Sequence, residues 1–159
     1  MRYIFVLLAL ISFCIGGLIY LIYRSLTLQM FVWFKQLGLY SSVISFRNEY
    51  WPTLPDWIIY SLPDGLWLFS YLLIMKAIWY KKTTKQALVL PLILPIFMNL
   101  TEILQGLNCF PGTFDLLDVI CYDIPVIIYL IFYAYERKNS FSSLCSSNRS
   151  FLDNSRRVR

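Results

Sequence analysis

The chain has 159 residues, 58% of them hydrophobic and 18% aromatic, with only 14% charged and a net charge of +5. Soluble domains carry roughly 25% charged residues, so this composition excludes an ordinary soluble core and points to an integral membrane protein of about one domain. No histidine is present, which excludes Ser-His-Asp and Cys-His catalysis, imidazole metal ligation and the usual near-neutral proton carrier.

Four apolar stretches are predicted to span a membrane, at residues 3–23, 61–80, 86–105 and 115–135. Each supplies close to the roughly 20 residues that a hydrocarbon core of about 30 Å requires. The first is longer than the h-region of a signal peptide and has no small-x-small cleavage site, so it reads as a retained anchor. Gly16 and Gly17 within it favour close helix packing.

The connection over residues 25–56 is long and unusually apolar. Leu28-Gln-Met-Phe-Val-Trp-Phe34, with Tyr40, Tyr50, Trp51 and Trp57 after it, predicts an interfacial or re-entrant segment between the first two spans. Thr53-Leu-Pro-Asp56 then recurs as Ser61-Leu-Pro-Asp64. This is the pattern of a helix start, with a capping hydroxyl, a proline where no N–H is needed and an acid three residues on. Ser61 is therefore expected to cap the second span, with Asp64 in its first turn.

In the third span, Pro91 and Pro95 are expected to kink the helix. Glu102 and Gln105 close it and share a face. A turn, Gly106-Leu-Asn-Cys-Phe-Pro-Gly112, returns the chain. Asp115, Asp118 and Tyr122 then follow an i, i+3, i+7 pattern along one stripe of the fourth helix. Asp123 points away from that stripe, two residues before Pro125, which leaves a backbone carbonyl free to line a wet cavity. Residues 139–159 are rich in Ser, Asn and Arg and read as a disordered basic tail after a transmembrane domain over 1–138, with Arg156, Arg157 and Arg159 able to touch anionic lipid.

An arrangement with both termini inside leaves eleven basic residues within and only Arg24, Lys35 and Arg47 outside. This asymmetry predicts a multi-pass protein of the inner (plasma) membrane with cytoplasmic N- and C-termini. It also explains the positive charge without any nucleic-acid partner. The expected fold is all-α, an integral membrane bundle of four transmembrane helices with the extra segment between the first two.

On that topology the acids gather. Asp64, Glu102, Gln105, Asp115 and Asp118 fall within about two turns of the outer surface. Asp64 and Asp115 are at helix starts, where the dipole favours acids, but Glu102 is at a helix end, where it does not. A carboxylate inside a bilayer is costly unless paired or wet, so this group is a candidate site. With Trp67, Asn99 and Tyr122 added, it forms the predicted polar or ligand-binding cluster. Asp118 is as readily a structural partner of Asn99, Glu102 or Gln105. No cofactor is implied and no metal site is predicted. Cys14, Cys109, Cys121 and Cys145 form no CxxC pair and suggest neither zinc nor redox chemistry.

Asp64 with Trp67, Glu102 with Gln105, then Pro111 and Asp118 at their spacing give the chain a resemblance to the VanZ-like family of small bacterial membrane proteins, over about residues 63–130. Thr113 stands where that family favours Arg, and Tyr122 where it favours Asn. Asp64-x-Leu-Trp67 and Asp118-x-x-x-Tyr122 look closer to a related uncharacterised family with a Glu-x-x-Gln helix end. The resemblance implies a bundle of four or five helices with a polar cluster, and cell-envelope work. The acid cluster beneath the aromatic outer segment suggests binding of a lipid-linked or glycan ligand at an outward-facing site, with membrane lipids as further partners. The alternatives are an accessory or structural subunit with a protein partner, or a carboxylate- or metal-dependent hydrolase or transferase.

Overall fold

A computed structural model describes the backbone of residues 2–49 and 51–157, and the side chains among these as far as residue 142. The expectations for Tyr50, for Cys145 and for the side chains of Arg156, Arg157 and Arg159 lie outside that description. Among the described residues the chain is wholly helical. In order it forms α1 (Arg2–Tyr23), α2 (Gln29–Gln36), α3 (Tyr40–Arg47), α4 (Asp56–Tyr60), α5 (Leu62–Ile78), α6 (Lys85–Gly106) and α7 (Leu116–Arg157).

Three of these are long and apolar enough to cross a membrane: α1, α6 and the Leu116–Ser142 part of α7. Their outward faces are apolar, with Ile4, Leu7, Ile11, Ile93, Ile96, Ile127 and Ile131 all exposed. That is the surface expected of helices solvated by lipid tails. The stretch at 61–80, expected as a span, is shorter as a helix. α5 has 17 residues, about 25 Å at 1.5 Å per residue, against a core of about 30 Å.

Short as it is, α5 is the centre of the fold, packing most extensively against α1 and next against α7. Small residues allow this. A Cβ on Gly65 would lie 2.7 Å from the Cys121 carbonyl oxygen of α7, and a Cβ on Gly16 would lie 2.9 Å from the Trp67 Nε1. Gly17, the neighbour of Gly16, meets nothing within 4 Å, so only one glycine of the pair is needed for packing. The Ser12 hydroxyl adds a 2.9 Å bond to the Leu66 carbonyl.

The prolines decide which backbone carbonyls are left for tertiary bonds. Pro125 has no N–H to give the Cys121 carbonyl. That freed oxygen faces Gly65, beside an apolar pocket lined by Leu62, Leu66, Phe69, Ile124 and Ile128. Pro91 likewise frees the Ala87 carbonyl, which accepts from the Tyr129 hydroxyl. Tyr133 donates to the Thr83 and Thr84 carbonyls at 3.2 and 3.3 Å. At this end of the bundle Lys76, only 3% exposed, meets Glu136 at 2.6 Å. It is the one ion pair among the described residues. Breaking a pair this buried typically costs about 3–5 kcal/mol, because the remaining charge is stranded.

One expectation needs correction. Ser61 occupies the position before α5, yet its hydroxyl makes no capping bond and is buried without a partner. The reason is that α4 runs almost directly into α5: the Ser61 amide already bonds to Trp57, and its backbone is helical. The backbone from residue 139 is also helical, continuing α7 to Arg157. No Pro or Gly follows Pro125 in the sequence to stop a helix.

The connecting segment forms the short helices α2, α3 and α4 and is tied to α1. Phe31 is fully buried. Arg47 donates to the Leu21 and Arg24 carbonyls at 2.6 and 2.9 Å, satisfying oxygens left open at the end of α1.

The glycine contacts make a direct comparison. Gly65→Ala forces a methyl group against α7 backbone and should destabilise the protein by about 1–3 kcal/mol, whereas Gly17→Ala should leave stability unchanged or slightly raised. Thermal unfolding of both variants in detergent, followed by circular dichroism, checks this.

Candidate functional site

The site is at the end of the bundle opposite the Lys76–Glu136 pair, where α5 begins, α6 ends and α7 begins. The turn between α6 and α7 is built to bring the last two together. Leu107, Asn108 and Cys109 return their amides to the Ile103, Gln105 and Leu104 carbonyls. Asn108 takes the left-handed backbone, φ 56°, that ends many helices. Gly112 has φ 138° and lies so close to Gln105 that a Cβ there would fall 2.7 Å from its amide carbon. Gln105 therefore packs on the turn. Asp115 then caps α7, its Oδ1 accepting from the Leu117 amide at 2.8 Å.

Four predicted residues converge here. Glu102 is 6% exposed, and its Oε2 is buried with no hydrogen-bond partner. The backbone of Asp115 faces its carboxylate, and the charges of Asp118, Asp115 and Asp64 all act on it. Asp118 is half-buried on the first turn of α7, and its Oδ1 is likewise buried and unpartnered. Asp64 is half-buried in the first turn of α5 and feels both Arg24 and Asp118. Tyr122, one turn below Asp118, closes the floor and is 6% exposed. It joins the apolar core formed with Leu68, Leu72 and Tyr129.

Two predicted members turn elsewhere. Trp67 faces α1, wedged over Gly16 with its ring 5.1 Å from that of Tyr20, and its Nε1 is buried without a partner. Asn99 bonds neither Glu102 nor Asp118. Its Nδ2 donates to the Asp123 Oδ1 at 3.1 Å and to the Pro95 carbonyl at 3.2 Å. This second polar pair lines an open groove of about 380 Å³ between α6 and α7, otherwise walled by Leu92, Pro95, Ile96, Leu100, Ile103 and Val126.

Compared with known protein families, with curated proteins and with solved structures, the chain matches none.

Sequence reasoning did not assign Arg24 to the cluster. Its guanidinium sits over the Tyr20 and Tyr60 rings at 4.9 and 5.0 Å and contributes to the field at Asp64. The available signal was its position directly after the first apolar run. None of the clustered acids forms an ion pair among the described residues. Nor, among those residues, does any group of three or more His, Cys, Asp or Glu stand close enough to hold a metal ion. The arrangement is thus a half-enclosed set of carboxylates, rich in acceptors and short of donors.

The roles of the acids separate on stability. Asp115→Ala removes the α7 cap and should cost about 1 kcal/mol, while Glu102→Gln, which adds donors where an acceptor is orphaned, should not lower stability. Unfolding midpoints of the two variants test the division.

Proposed function

We propose that this chain is a VanZ-like integral membrane protein of a bacterial cell envelope, whose polar cluster faces outward and binds a lipid-linked or glycan ligand. The observation that carries the reading is that Glu102 Oε2 and Asp118 Oδ1 are both buried and unpartnered, on carboxylates whose charges act on each other. Leaving such groups unsatisfied costs about 1–3 kcal/mol each, more when charged, and a ligand supplying donors recovers it. The residues of the turn above them, 106–114, are all exposed, giving an approach from solvent.

In this reading α4 and α5 together make the fourth span. Residues 56–78 form a nearly continuous helix broken only at Ser61. Its 23 residues amount to about 34 Å, enough to cross. Four spans return both termini to one side, the side that holds eleven of the fourteen basic residues. The acid cluster then lies at the outer face.

A second reading, an accessory subunit, draws on the Asn99–Asp123 pair. Asp123 is exposed on the flank of a spanning helix, where a carboxylate is costly against lipid tails. A partner helix seated in the α6–α7 groove would cover it. A stoichiometric protein recovered from native membranes with the wild type, and lost with Asp123→Asn, favours this reading.

Purified full-length protein should retain lipids from an envelope extract, and Glu102→Gln and Asp118→Asn should each reduce that binding about tenfold or more. Unchanged binding in both variants sinks the ligand-binding proposal.

A further inference from the structure

Acidic groups at helix ends are common, and a cluster of them alone defines no site. Here a second observation points to an occupant. Glu102 is more than nine-tenths buried, and one of its carboxylate oxygens has no partner although Asp64, Asp115 and Asp118 all stand within electrostatic range. Asp118 repeats the pattern with a buried, unpartnered oxygen of its own. Of these carboxylates Asp64 feels a guanidinium, that of Arg24, and Arg24 is itself engaged with two tyrosine rings.

The missing complement is therefore positive and rich in donors. A multivalent metal does not suit the spacing, since no three of the described acids come close enough to share one. Hard cations need oxygens at about 2.0–2.6 Å. A primary ammonium brings three N–H donors at about 2.7–2.9 Å and tolerates acceptors set farther apart. Neutral hydroxyls match less well, because each makes a weaker bond and leaves the net charge of the group unopposed.

We propose that the Asp64–Glu102–Asp118 cluster receives a primary ammonium group, with Glu102 and Asp118 as its direct acceptors and Asp64 as the flanking charge. This rests on the ligand-binding reading above and names the chemical class of the ligand. The ammonium is carried by an aminophospholipid headgroup or by a soluble amine. Tyr122 forms the floor beneath it, and Asp115, committed to capping α7, sets the rim.

The test uses the full chain in detergent micelles and measures binding by microscale thermophoresis. The probes are dihexanoyl-phosphatidylethanolamine, its N-acetyl derivative and free ethanolamine. The expected result is that the amine lipid binds about tenfold or more tighter than the N-acetyl lipid, and that Glu102→Gln or Asp118→Asn removes this preference. Both variants are checked for an unchanged unfolding midpoint, so that either one suffices if the other fails to fold. Ethanolamine binding as tightly as the lipid supports a soluble amine as the source. Binding by the lipid alone supports a headgroup. Equal binding of the amine and N-acetyl lipids, lost in Glu102→Gln, overturns the ammonium assignment and leaves a ligand site standing. No probe binding that depends on Glu102 or Asp118 overturns it too. In that case, retained dependence of envelope-extract binding on the same two residues keeps the broader reading alive, and its loss removes both.

Discussion

The close approach of α5 to α7 at Gly65 is the constraint on which the rest of the structure depends. The glycine faces the Cys121 carbonyl at a distance that admits no side chain, and that carbonyl is available because Pro125 cannot donate to it. Helix α5 meets α1 on another face, through Gly16 and Ser12. The three helices can approach so closely only in one register. In that register Asp64 stands beside Asp118 at one end, and Lys76 meets Glu136 at the other. In lipid, where helix association is driven by packing and not by the hydrophobic effect, such contacts carry an outsized share of the specificity.

The two ends are built on opposite electrostatic principles. At the Lys76 end the buried charges are matched: lysine finds glutamate, and the Tyr129 and Tyr133 hydroxyls find carbonyls. At the other end acids accumulate without donors, and two of their oxygens are orphaned. Buried polar groups in proteins are overwhelmingly satisfied. The fold thus completes its polar pairing at one end and leaves two carboxylate oxygens unpaired at the other.

Much of this was legible in the sequence, for identifiable reasons. Apolar length located three helices long and apolar enough to span, because the bilayer thickness sets that length directly, while the stretch at 61–80 formed a shorter helix. Helical spacing placed Asp115, Asp118 and Tyr122 on one stripe, and the acids that gathered were largely those that spacing suggested. What failed depended on neighbours. Trp67 lies three residues from Asp64, close on a helical wheel, yet α5 is enclosed on several sides and the ring went to α1. Ser61 had the signature of a cap, but α4 arrived already helical, with the Ser61 amide bonded to the Trp57 carbonyl and the Gly65 amide to the Ser61 carbonyl. Asn99 chose Asp123 over Glu102 and Asp118, a choice set by how α6 rotates against α7. Arg24 could be connected to the acids only once its guanidinium was placed over the Tyr20 and Tyr60 rings, within range of Asp64.

Arg47 holds the last turn of α1 by two carbonyls, and one of them belongs to Arg24. The connecting segment and the acid cluster are therefore mechanically linked. Withdrawing Arg47 would strand two acceptors, one of them on the residue whose charge acts on Asp64. A contact made at the membrane surface by α2 and α3 would in this way alter the electrostatic potential inside the bundle without touching it. The helices of the connecting segment thus reach the neighbourhood of the acid cluster through the end of α1, which Arg47 holds and Arg24 extends.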